Sequence, residues 1–182
     1  MILLLVFLVS LFLVCGSGVL AALSDLRGMT IPNFYSVIVL GAFVFCYVAL
    51  WLGGRDDVFS PLLSHLLALL IVFFVTLAMF MANMMGAGDS KLASALALWV
   101  GMKGLMPFVV YMTVVGGLLA LVALVLRRWA PIKDPKPDSW VAQVQSGASK
   151  VPYGVAIVLG ALASFVKIGY FDLDVLSSFV IE

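Results

Sequence analysis

Five nearly unbroken apolar runs, at about 2–23, 33–52, 61–82, 105–126 and 152–170, constrain this chain more than any other feature. An α-helix needs roughly 20 apolar residues to cross a hydrocarbon layer. Inside a bilayer every backbone polar group must be paired within the protein, so such runs read as helices. A sixth run, about 89–103, is shorter and carries Asp89 and Lys91 at its start. It is either a short span or a tilted one whose polar end lies in a cavity. Composition agrees: 65% of residues are hydrophobic and 10% charged, where a soluble domain carries about 25% charged residues. The expected fold is all-α, a polytopic membrane helical bundle of about six transmembrane helices, with residues 1–182 as one domain. The opening "MILLLVFLVSLFLVCGSGVLAAL" lacks a basic n-region and is about twice the length of a signal-peptide core, so it reads as a retained helix.

The connections are short except for 127–150, a polar, proline-bearing loop. Cytoplasmic loops are enriched in Lys and Arg. One side collects Arg27, Lys91, Arg127, Arg128, Lys133, Lys136 and Lys150; the other has Arg55, Lys103 and Lys167. The first side is expected to be cytoplasmic, with the N-terminus and C-terminus both outside. In the acidic tail, Leu173, Leu176 and Val180 fall at helical spacing, so it either lies along the interface or frays. A net charge of +1 gives no argument for nucleic acid. The two cysteines, Cys15 and Cys46, form no CxxC pair, and a single histidine excludes an HExxH motif. No metal and no cofactor is expected.

Most acids have solvated homes: Asp56 and Asp57 in a glycine-bearing turn, Asp134 and Asp138 in the long loop, Asp172 and Asp174 in the tail. Asp25 and Asp89 do not. Asp25 ends the first helix and Asp89 begins the fourth, both at the expected cytoplasmic edge. Ionisable residues so close to hydrocarbon are costly unless paired or wetted, which makes them functional candidates. Singly, Asp89 is explained as a helix cap and Asp25 as a juxtamembrane charge beside Arg27. Together, two carboxyls at one depth can share a water and hold one proton between them. That is the acid and base pair needed to hydrolyse a peptide bond without metal or covalent intermediate.

The stretch "GAGD", 86–89, fits the GxGD signature of intramembrane-type aspartic proteases, and "GAGDSKL" resembles the second active-site motif of bacterial prepilin peptidases, the type IV leader peptidases. "SDLRGMTIPN", 24–33, resembles their first motif, and "VPYG", 151–154, the Pro-aromatic-Gly that opens their last helix. The resemblance implies an aspartic endopeptidase of the inner (cytoplasmic) membrane. Its partners would be prepilin-like precursors, whose short basic leader it removes at the cytoplasmic face, and membrane lipid. It implies Asp25 and Asp89 as the catalytic pair, with Gly86, Gly88, Lys91, Asn33, Pro152 and Gly154 as supporting or substrate-binding residues. Longer family members carry a CxxC-bearing cytoplasmic insertion linked to N-methylation. About eight residues join the first two apolar runs here, so no methyltransferase activity is expected. The short layout resembles the peptidases of tight-adherence (Flp-type) pili and archaeal preflagellin peptidases.

Other residues have plainer readings. Lys91 anchors a helix end or meets substrate or lipid phosphate. Pro32 suits the first turn of the second helix, and Asn33 is placed to bond an active-site carboxyl. Asn83 reads as a loop cap and His65 as a hydrogen-bonded interior residue. Gly16, Gly18, Gly116 and Gly117 suit close helix packing. The methionines before the GxGD stretch, Met79, Met81, Met84 and Met85, are packing residues or a pliable surface for apolar substrate helices. Ser17 in "CGSG" fails the Gly-x-Ser-Gly spacing of rhomboid-type enzymes, because position 15 is Cys. A proton-coupled transporter would place its acids near mid-membrane at a repeat interface, and no repeat is visible. A non-enzymatic assembly subunit is the remaining alternative.

Overall fold

The computed structural model describes residues 1–55, 57–137, 139–148 and 151–179. They form seven helices: α1 (Ile2–Gly28), α2 (Asn33–Leu52), α3 (Leu62–Met81), α4 (Ala87–Trp129), α5 (Trp140–Gln145), α6 (Tyr153–Ile168) and α7 (Leu173–Ser178). No strand occurs among the described residues. The first four helices are long and apolar enough to cross a membrane, and α6 is a shorter apolar helix. The protein is a polytopic membrane helical bundle. α4 packs most extensively on α6 and α3, while α1 packs on α2 and α6.

Two helices run past the apolar sequence. α1 is expected to stop near residue 23 but continues through Ser24–Gly28, because Met29 supplies a left-handed cap (φ 52°) whose N–H donates to the Asp25 carbonyl at 2.8 Å. Separate helices are expected at about 89–103 and 105–126, and α4 (Ala87–Trp129) is indeed two helical segments, which meet at the non-helical Gly101 (φ 59°, ψ −174°) close to the expected junction. Only glycine occupies that conformation without strain. Pro107 lies inside the second segment and does not end it.

The break frees backbone donors and acceptors that need new partners. Residues of α3 and of the turn after α6 supply them. His65 Nδ1 bonds the Leu98 carbonyl at 2.6 Å, so that nitrogen carries the proton. The Tyr170 hydroxyl donates to the Trp99 carbonyl at 2.8 Å, and the Met102 N–H donates to Ser64 Oγ at 3.1 Å. Segment 87–100 is thereby held as a separate helix in the middle of the bundle, its residues from Leu92 to Val100 all buried. A Cβ at position 101 would lie 3.1 Å from the His65 ring, on a backbone that already disfavours it. Gly101→Ala is expected to cost about 2–4 kcal/mol, seen as lower yield and earlier thermal unfolding in detergent. Gly117→Ala, which meets open space, should change neither.

The packing glycines fall differently from expectation. A Cβ on Gly18 would touch Val158 and one on Gly116 would touch Tyr153, but Gly16 and Gly117 face open space. Close α4–α6 approaches lie instead at Gly104, where a Cβ would come within 2.5 Å of Ser164 Oγ, and at Gly160, where it would come within 2.9 Å of the Phe108 carbonyl and 3.0 Å of the Met112 amide.

The described part of the tail is docked on the bundle as far as Phe179. Arg55, buried between α2 and α3, pairs with Asp57 at 2.9 and 3.1 Å and donates to the carbonyl (2.9 Å) and hydroxyl (2.7 Å) of Ser178. Its guanidinium also covers the Phe179 ring at 4.3 Å, and Phe179 stacks on Phe7. The Arg55 hydrogen bonds hold the Asp57 carboxyl below its usual range. Leu173 is exposed and Leu176 packs on the core. Asp56, Asp138, Lys150 and Val180 lie outside the described residues. The 127–150 connection is not a free loop either: α5 docks against α4 and α1 through buried Trp140 and Val144.

Candidate active site

The end of the bundle opposite Arg55 holds a cavity of about 450 Å³, lined by Asp25, Met29, Phe80, Asn83, Met84, Met85, Gly86, Asp89, Val151 and Tyr153. It is assembled from four chain segments: the last turn of α1, the α3–α4 turn, the first turn of α4 and the approach to α6.

Asp25 is buried, 5% exposed, and its Oδ2 accepts from the Gly154 N–H at 2.8 Å. That bond works because position 154 has no side chain. A Cβ there would lie 3.0 Å from Asp25 Oδ2 and 2.9 Å from Ile31 Cδ1. Pro152 occupies the N-cap position of α6, and the free amides of a helix start suit a carboxylate. Asp89 is the third residue of α4, and its Oδ2 accepts from the Gly86 N–H at 3.2 Å. Its Oδ1 is buried with no hydrogen-bond partner among the described residues. The helix-cap reading of Asp89 is therefore half the account: one oxygen caps, the other is left unengaged. A buried carboxylate oxygen without a donor is costly.

The glycines divide the work. A Cβ on Gly86 would meet Asp89 Oδ2 at 2.8 Å, and one on Gly88 would meet the Ile31 Cβ and carbonyl at 3.1 Å. Gly86 leaves room for the carboxylate, and Gly88 lets α4 press against the α1–α2 turn. Behind Asp89, Ser90 Oγ bonds Thr76 Oγ1 at 2.8 Å, tying α4 to α3.

Across the chain, the type IV leader peptidase family model matches residues 11–121. The chain belongs to the type IV leader peptidase family. No curated relative and no solved structure matches it. Membership carries a leader-peptidase activity in general, in an integral membrane protein. The matched residues of this leader peptidase include Asp25, Asn33, Gly86, Gly88, Asp89 and Lys91. Pro152 and Gly154 lie beyond them, and it is the fold that brings Gly154 to Asp25.

Two predicted site residues, Asn33 and Lys91, stand apart from this cavity. Asn33 does not bond a carboxyl; its Oδ1 accepts from Lys91 Nζ at 3.0 Å, on the exposed side of the α2 and α4 starts. Lys91 thus anchors one helix start to another. The lining also contains residues that reading the sequence did not single out for the site: Met29, Phe80, Asn83, Val151 and Tyr153. Tyr153 stands inside the quoted "VPYG", and its ring is seated against Gly116. Among the described residues no three His, Cys, Asp or Glu side chains cluster as a metal site.

Proposed function

We propose that this leader peptidase is an aspartic enzyme of the GxGD type. It removes the short basic leader from Flp-type prepilins at the cytoplasmic face of the inner membrane, and so serves pilus assembly. The single observation that most supports the reading is the shared cavity, with Asp25 and Asp89 on its wall and Asp89 Oδ1 without a partner among the described residues. In this reading a water between the carboxyls attacks the scissile carbonyl and gives its proton to the ionised member. The protonated member hydrogen-bonds to the carbonyl oxygen and protonates it as the tetrahedral diol forms. A proton then passes to the leaving amine as the C–N bond breaks. The amides of Gly154 and Gly86 each hold one carboxyl oxygen, leaving the other for this work. Only Met29–Pro32 join α1 and α2, so a methylase insertion has no place there.

Co-expression with a Flp-type prepilin, followed by N-terminal sequencing, tests the activity. The expected product starts immediately after the basic leader; an unprocessed precursor overturns the reading. Orientation is tested separately. Arg27, Lys91, Arg127 and Arg128 belong to the cavity end of the bundle, and Lys103 to the Arg55 end, beside Asp57 and Tyr170. Exposed Lys133, substituted by Cys, should resist a membrane-impermeant thiol reagent in intact cells and react after lysis. Labelling in intact cells would reverse the orientation.

A further inference from the structure

The α3–α4 turn forms a wall of the cavity that the hydrolytic chemistry does not use. Phe80, Asn83, Met84 and Met85 all line it, on one continuous stretch of chain. The turn is locked by backbone bonds from Ala82 to Ala78, Asn83 to Phe80 and Met84 to Met79. Asn83 itself is left-handed, φ 58°. This closure buries Met85 and leaves Asn83 and Met84 exposed, Met84 at 68%. The wall thus offers an amide with two donors and one acceptor beside a pliable thioether and a phenyl ring.

A peptide bond inside a helix has its carbonyl occupied, so a chain being cut must present an extended stretch to the carboxyls. An extended stretch carries unpaired N–H and C=O groups and side chains that alternate between two faces. A site that binds one needs a backbone partner next to an apolar recess. Asn83, Met84 and Phe80 offer these two kinds of group on the same cavity as Asp25 and Asp89. In the peptidase reading the carboxyls engage the attacking water, and the Gly86 and Gly154 amides already hold the carboxyls.

We infer that the α3–α4 turn is the substrate-holding wall of the site. The Asn83 amide pairs with the backbone of the extended peptide beside the scissile bond. Met84 and Phe80 receive the apolar side chain next to it. This inference rests on the peptidase reading above and extends it to specific contacts.

Asn83 has a competing role, because asparagine is favoured in left-handed turns for conformation alone. Asn83→Gly separates the two, since glycine keeps the turn and deletes the amide. Met84→Ser removes apolar surface from a side chain that is largely exposed and so leaves folding intact. In purified enzyme with a prepilin substrate, each variant should raise KM about fivefold or more, with kcat within about twofold and an unchanged unfolding temperature. Met106→Ser, at an exposed position on α4 away from the cavity, should alter none of these. If either wall variant has a KM within about twofold of wild type, the wall is overturned. Failure of the wild-type enzyme to cut the prepilin at all would instead count against the peptidase reading.

Discussion

Asp25→Asn and Asp89→Asn should each leave a folded, membrane-inserted protein that no longer removes the leader. Asparagine matches aspartate in size and still accepts the Gly154 or Gly86 N–H, so the local structure has little reason to change. What it cannot do is take or deliver a proton. A positioned acid or base contributes about 10²–10⁴-fold, and two acting as a unit lose nearly everything when one is removed. Leader cleavage should therefore fall about a thousandfold or more in either variant, measured as first-order processing by purified enzyme. Asp134→Asn and Asp174→Asn, at exposed positions, should process at the wild-type rate. Near-normal processing by Asp89→Asn would reduce that carboxyl to its capping bond with Gly86.

Gly154→Ala is expected to damage activity almost as badly without touching an ionisable group. The added methyl has nowhere to go, with Asp25 Oδ2 at 3.0 Å, Asp25 Cβ at 3.2 Å and Ile31 Cδ1 at 2.9 Å. Either the carboxylate moves off the Gly154 amide or the start of α6 backs away from α1. Both misplace one carboxyl relative to the other by a fraction of an ångström or more. Misplacement by about 1 Å costs on the order of a hundredfold in rate. The check is kcat with stability measured in parallel: activity should fall about a hundredfold while the unfolding temperature moves by only a few degrees. Gly154→Ala with full activity would show that the amide bond to Asp25 is dispensable.

How much of this was visible in the amino-acid order depends on where the physics is local. The long helices were legible because the bilayer demands about 20 apolar residues and the chain supplies them in runs. Asp25 and Asp89 stood out because a carboxylate at the edge of such a run has no ordinary home there. A break between about 103 and 105 was expected, but its exact place at Gly101 was not, since "VGMKG" contains two glycines and nothing local says which one breaks the helix. The choice is made by Ser64, His65 and Tyr170, which are distant in sequence and meet the freed backbone groups only after folding. The Lys91–Asn33 bond spans 58 residues and was equally hidden, which is why Asn33 was expected at a carboxyl. The docking of Phe179 beneath Arg55 was hidden for the same reason. Tyr153 and Met29 lie inside the segments 151–154 and 24–33 that resemble family motifs, but which side chains of those segments reach the cavity is set by how helix starts and ends converge.

The break at Gly101 also turns the first part of α4 into a strut of set length. Its far end is gripped by α3 and Tyr170, and its near end carries Asp89, about 18 Å away at 1.5 Å per residue. One residue added to or removed from this strut would swing the carboxylate by about 100° around the helix axis, out of the cavity, while shifting its depth only slightly. The depth of the reactive carboxyl can then change only in steps of about one helical turn, near 5.4 Å. Fine adjustment to membranes of different thickness has to come from the lipid-facing helices around the strut.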